Sequence, residues 1–63
     1  MIKDVEGKEL KVGQVIKEIF FDEEAEVLEL SNEDEVKVKF LKDGFFNTGE
    51  IVDINTKYIL IIA

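Results

Sequence analysis

The chain has no cysteine, no histidine, no arginine and no tryptophan, and Ser31 is the only serine among its 63 residues. Each absence removes a class of function. Without Cys there is no disulfide, and without Cys and His there is no usual zinc site. The same absences leave nucleophile–base catalysis without its parts, so no catalytic residue is assigned and neither a cofactor nor a metal is expected. Phosphate contacts need clustered cations, and eight lysines stand against fifteen carboxylates, so direct binding of nucleic acid is not expected. The four glycines form no phosphate-cradling motif. No apolar run is long enough to cross a bilayer, and no charged-then-apolar leader precedes the first glycine; the chain reads as complete at Met1. The lack of Cys fits a reducing, cytoplasmic setting.

What is present is acid, and it is concentrated. The formal charge is −7. Residues 1–21 balance their acids with lysines, and residues 36–63 carry one lysine in excess. The surplus therefore lies in one segment, Asp22, Glu23, Glu24, Glu26, Glu29, Glu33, Asp34 and Glu35, which holds no lysine. With 46% hydrophobic residues the chain is too apolar for disorder. Its length makes it one domain, residues 1–63.

The apolar pattern reads as strands. Val15 to Phe21 is rich in β-branched and aromatic residues. Glu26 to Leu30 alternates, with Leu28 and Leu30 on one face and Val27 and Glu29 on the other. Ser31 to Asp34 is a turn by composition. Val36, Val38 and Phe40 alternate with Lys37 and Lys39, which predicts a hairpin in which these lysines lie across from Glu29 and Glu26. Lys42-Asp43-Gly44 predicts a tight turn, and Asn47-Thr48-Gly49 another. Glu50 to Ile54 is a short strand, Asn55-Thr56-Lys57 a third connection, and Tyr58 to Ala63 a continuous apolar run that either closes against the first strand or leaves an exposed apolar edge. A rival reading makes residues 14–30 a helix, because Val12, Val15, Ile16, Ile19 and Phe20 also fall at helical spacing; that would give an α+β arrangement. Strand, turn, strand is preferred, since the helix would lack a clear cap. The expected fold is all-β with five short strands.

The opening Asp4-x-x-Gly7-x-x-Leu10-x-x-Gly13-x-Val15 and the late tight connection before a last strand resemble the small SH3-like β-barrel, including KOW-like and phage-encoded members. The resemblance implies a turn at Gly7 and a second glycine, Gly13, just before the first long strand. It implies no single function, because such barrels host many. Nucleic-acid-binding relatives carry basic loops, whereas the first long loop here reads Asp22-Glu23-Glu24. Peptide-binding relatives use an aromatic groove that includes Trp, which this chain lacks.

Two groups of residues are candidates for binding. The first is the acidic segment 22–35. Carboxylates two residues apart on a strand lie ~6.8 Å apart on one face, a spacing able to imitate phosphates toward a basic or nucleic-acid-binding protein surface. Small phage inhibitors are often of this kind. Solubility and protection of a sheet edge explain the same charge equally well. Asn32 to Glu35 supply oxygen atoms, but the calcium loop with its central glycine is absent. The second group is apolar: Phe45 and Phe46, one facing the core and one exposed, beside Phe20 or Phe21 and Tyr58. The expected function is thus non-catalytic binding of a basic protein surface, with no membrane partner. The alternative is a structural or assembly module that forms a homodimer through strand 58–62. A third reading, RNA contact through Lys37, Lys39 and Lys42, is opposed by the global charge.

Overall fold

A computed structural model describes all 63 residues. It contains five antiparallel strands: β1 (Val15–Glu18), β2 (Glu23–Asn32), β3 (Glu35–Phe40), β4 (Ile51–Asn55) and β5 (Ile59–Ile61). They lie in one sheet of order β4-β3-β2-β1-β5. The only helical element is a 3-10 turn, Thr56–Tyr58, which joins the two outermost strands. That connection explains why the sheet rolls up. A flat sheet would hold its outer strands ~19 Å apart, four spacings of ~4.8 Å. Asn55 and Ile59 are separated by only the three residues of the turn, which reach at most about 13 Å even when extended. The two edges must therefore approach each other at that end, and the sheet curls into a small barrel-like shape whose outer strands, β4 and β5, do not pair.

Nine side chains fill the interior: Leu10, Ile16, Ala25, Val27, Val36, Val38, Phe40, Ile54 and Ile59. β3 supplies three of them, at alternate positions Val36, Val38 and Phe40, as its pattern predicts. Lys37 and Lys39 stand opposite Glu29 and Glu26 in the expected register. The apolar end of the chain closes on the first strand, with Ile16 opposite Ile61 and Glu18 opposite Ile59.

Several boundaries differ from the sequence reading. There is no helix across residues 14–30; that stretch is the β1–β2 hairpin. β1 ends at Glu18 rather than Phe21, because the backbone turns there. The Glu18 carboxylate accepts a hydrogen bond from the Phe21 N–H at 2.6 Å, and Asp22 takes a left-handed backbone with φ 61°. Ile19, Phe20 and Phe21 are thus placed on a turn and not in a strand. Asp22-Glu23-Glu24 is not a loop, since β2 begins at Glu23. Within β2 the core side is that of Ala25 and Val27, while Leu30 is exposed; a register irregularity after Val27 separates the two halves of the strand. Ser31 and Asn32 belong to β2, so the turn shrinks to Glu33-Asp34, held by an Asp34 N–H bond to the Asn32 side chain at 2.9 Å.

Asp43-Gly44 does not make a tight hairpin. Residues 41–50 form one long loop between β3 and β4. Gly44 is absent from the positive-φ residues, which include Gly7, Gly13 and Gly49. Gly44 serves another need: a Cβ there would overlap the carboxylate of Glu23. That carboxylate accepts hydrogen bonds from the N–H groups of Phe45 and Phe46. The loop is therefore pinned to the start of β2 across a separation of 22 residues.

Candidate functional site

All six aromatic residues of the chain join in one array. Buried Phe40 stacks on Phe46 with ring centroids 4.2 Å apart. Phe46 meets Phe45 edge-to-face at 5.0 Å. Phe45 stacks on Phe21 at 4.0 Å, Phe21 meets Phe20 at 4.8 Å, and Phe20 reaches Tyr58 at 6.1 Å. Three elements carry these rings: the β1–β2 turn, the pinned loop 41–50 and the 3-10 turn. Glu23 is what brings the second to the first, because its two backbone hydrogen bonds set Phe45 and Phe46 beside Phe21. Phe20 is 70% exposed and Phe45 67%. An array this exposed is not explained by the core, which Phe40 and half-buried Phe46 already serve.

The rings border an open groove of about 370 Å³. Phe20, Phe21, Phe46 and Tyr58 line it together with residues 52–55 of β4. Glu18 also lines it. This residue is only 3% exposed, and its side chain makes one hydrogen bond, from Phe21 to Oε1. No buried side-chain oxygen in the protein lacks a partner. The second oxygen of Glu18 accepts no hydrogen bond and is therefore not fully buried, and Glu18 lines the groove. A carboxylate beneath aromatic faces is a natural receptor for one cation, since the ring quadrupoles and the charge act together. The chain shows such a contact on its own surface, with the Lys57 ammonium 5.3 Å from the Tyr58 ring centre.

β4 brings backbone as well as side chains to the groove. The Phe40 N–H donates to the Glu50 carbonyl and the Thr56 N–H to the Asp34 carbonyl. With the register of Val38 opposite Val52, these bonds set the parity of the ladder: Val52 and Ile54 bond to β3. The N–H and C=O groups of Ile51 and Asp53 and the N–H of Asn55 point the other way and have no backbone partner, while the Asn55 carbonyl opens the 3-10 turn.

The acidic segment is divided by the fold. Asp22 is exposed and lies 3.2 Å from the Lys17 ammonium. Glu23 is engaged with the loop. Glu24 stands opposite Lys17, Glu26 opposite Lys39 and Glu29 opposite Lys37, so lysines from neighbouring strands interleave with the acidic row. Glu33, Asp34 and Glu35 sit at the far end of the β2–β3 hairpin, exposed. Of the segment, Asp22, Glu23 and Glu24 lie beside the aromatic array, around a recess shared with Phe21. No group of three or more carboxylates converges in a geometry able to hold a metal ion.

Two carboxylates have lowered pKa values. Burial of Asp4 pushes its pKa up, but N–H donors from Ile61, Lys8 and Glu6 outweigh this and hold it below the ordinary range. Asp43 is lowered by hydrogen bonds from the Thr48 backbone and side chain. Neither lies in the groove; both tie loops.

From the sequence, Phe20 or Phe21 and Tyr58 are expected beside Phe45 and Phe46, as found, though both Phe20 and Phe21 are expected on a strand; Glu18 is the groove residue that the sequence does not single out. A signal existed for Glu18: two residues after Ile16, it shares the inward face of β1. No protein-family model matches the chain, and no curated protein or solved structure matches it significantly.

Proposed function

We propose that this chain is a non-catalytic protein-binding module whose partner presents a basic surface, and that the aromatic groove with its carboxylates is the binding face. The observation that carries the reading is the exposed continuous aromatic array. Folding costs are not reduced by leaving Phe20 and Phe45 in water, and exposed aromatic patches of this kind mark interaction surfaces. The acid supplies the sign of the partner. Asp22 and Glu24 flank the array and Glu18 lies within it, so cationic residues are favoured and long-range steering adds to on-rate. In biological terms the reading is a small cytoplasmic inhibitor or regulator, of the type phages encode, that occupies a surface built for phosphate. The strand order and the 3-10 turn before the last strand support the likeness to small SH3-like barrels.

Assembly through strand 58–62 has less support, because the outward side of β5 is occupied: the Val5 N–H donates to the Ile59 carbonyl and the Ile61 N–H to Asp4. Lys37 and Lys39 face Glu29 and Glu26, which weakens the case for RNA contact. The test is capture of partners from lysate by the intact chain and by Phe20→Ser/Phe45→Ser, at low and high salt. A basic protein retained at low salt, released at high salt and lost with the double variant is the expected result. Equal capture by the variant would overturn the assignment of this face.

A further inference from the structure

Resting on that reading of the groove, we propose that its occupant is an extended segment of the partner that adds as a sixth strand to the open edge of β4 and places one Lys or Arg side chain over the Glu18 carboxylate. Three observations converge on this. The first is the row of unpartnered backbone groups, the N–H and C=O of Ile51 and Asp53 and the N–H of Asn55, which matches the hydrogen-bonding repeat of an incoming strand. The second is the groove itself, which runs along residues 52–55 and leaves room beside that edge. The third is Glu18, a buried carboxylate that lines the groove and has one oxygen without a hydrogen bond.

Strand addition explains a feature that surface electrostatics alone does not. Exposed sheet edges are normally closed or blunted, and this chain closes its other edge completely enough to use a buried aspartate, Asp4, for the purpose. Leaving β4 open, and lining the opening with aromatic rings, suits a site that alternates backbone pairing with side-chain pockets. In an added strand, alternate side chains point toward the barrel; there they meet Phe20, Phe46 and Tyr58, and the one above Glu18 must be a cation. A second copy of this chain is a poor occupant. A two-fold pairing of β4 centred on Asp53 would set carboxylate against carboxylate, between two chains that each carry −7.

The probe is a blocked hexapeptide of alternating lysine and valine, titrated into the 15N-labelled full chain and followed by backbone amide shifts and hydrogen exchange. A second peptide carries N-methyl groups on the edge that would pair, which removes its donors and leaves its charge. The expected result is perturbation of the Ile51, Asp53 and Asn55 amides, slowed exchange there, and binding about tenfold weaker for the N-methylated peptide. Glu18→Gln, which keeps an oxygen for the Phe21 N–H, is expected to weaken binding by about tenfold too, and Phe20→Ser provides a second variant should Glu18→Gln fold poorly. Equal binding of both peptides, with shifts confined to Asp22–Glu35, would overturn strand addition while leaving the basic-partner reading intact. Absence of any binding would overturn the inference, and the lysate experiment then judges the module reading separately. Concentration-dependent shifts at Ile51–Asn55 without peptide would identify a second copy as the occupant and overturn it as well.

Discussion

Along β5, three of the four backbone groups of Ile59 and Ile61 that face away from the sheet are met. The Ile59 N–H donates to the Thr56 carbonyl, its carbonyl accepts from Val5, and the Ile61 N–H donates to the Asp4 carboxylate at 3.0 Å. Along β4, the equivalent N–H and C=O groups of Ile51 and Asp53 and the N–H of Asn55 have no protein partner. Both strands are short and both are outermost in the same sheet. The difference comes from what the chain places beside them: an arm on one side, folded back by Gly7 and held by Asp4, and a groove walled with aromatic rings on the other. Carboxylates take part on both sides but in different ways. Asp4 spends its charge inside the fold, on N–H groups of Glu6, Lys8 and Ile61, whereas Glu18 keeps one oxygen free.

The largest way to break this contrast is to open the closed edge. Asp4→Ala strands buried N–H donors of the arm and of Ile61 and is expected to cost about 3 kcal/mol, read as a lowered urea midpoint with an unchanged slope. For a domain of this size that is most of its stability. Next in size is the pin that builds the groove. Gly44→Ala displaces the Glu23 carboxylate from the Phe45 and Phe46 amides and is expected to cost about 1–2 kcal/mol. Glu23→Ala removes the same bonds, so the double variant is expected to be little worse than the more damaging single one; additive losses in urea unfolding would mean the two residues act separately.

Acid sharpens the contrast by a smaller step. The pKa of Asp4 is lowered in the folded chain, so its contribution is fully present above the unfolded value of about 4. It is lost as pH falls through the lower folded value. A thermal midpoint that declines below about pH 4 is expected, and in Asp4→Asn the decline is expected to be shallower. A parallel decline in both proteins would assign the effect to other carboxylates. The smallest effect on stability belongs to the open side: Phe20→Ser and Phe45→Ser are each expected to change unfolding by under about 1 kcal/mol, while removing partner capture.

Much of the barrel was legible in the sequence. Val36, Val38 and Phe40 announced β3 because each is an inward residue flanked by lysines, and the partners of Lys37 and Lys39 followed from a hairpin of the right length. Gly7 and Gly13 were readable as positive-φ positions, and the structure gives them φ 83° and 95°. The aromatic patch was half visible: Phe45, Phe46 and Tyr58 stood out, but Ile19-Phe20-Phe21 read as the end of a strand. Composition favours a strand there. What overrides it is a side chain reaching back to the backbone, Glu18 to Phe21, together with the left-handed Asp22. The role of Gly44 was hidden for a similar reason. Asp-Gly signals a tight turn by local preference, whereas the glycine is needed because Glu23, far away in sequence, comes to occupy the space of its missing side chain. The division of the acidic run could not be read either, since it depends on which lysines face which glutamates across β1, β2 and β3.

The claim that one edge is sealed and the other open is tested most directly by amide hydrogen exchange on the free chain, resolved by residue. Slow exchange is expected at Ile61 and Val5, and fast exchange at Ile51, Asp53 and Asn55, with Val52 and Ile54 between them protected by β3. Protection at Ile51, Asp53 and Asn55 as strong as at Ile61 would contradict the account, because it would mean that the edge of β4 is already covered.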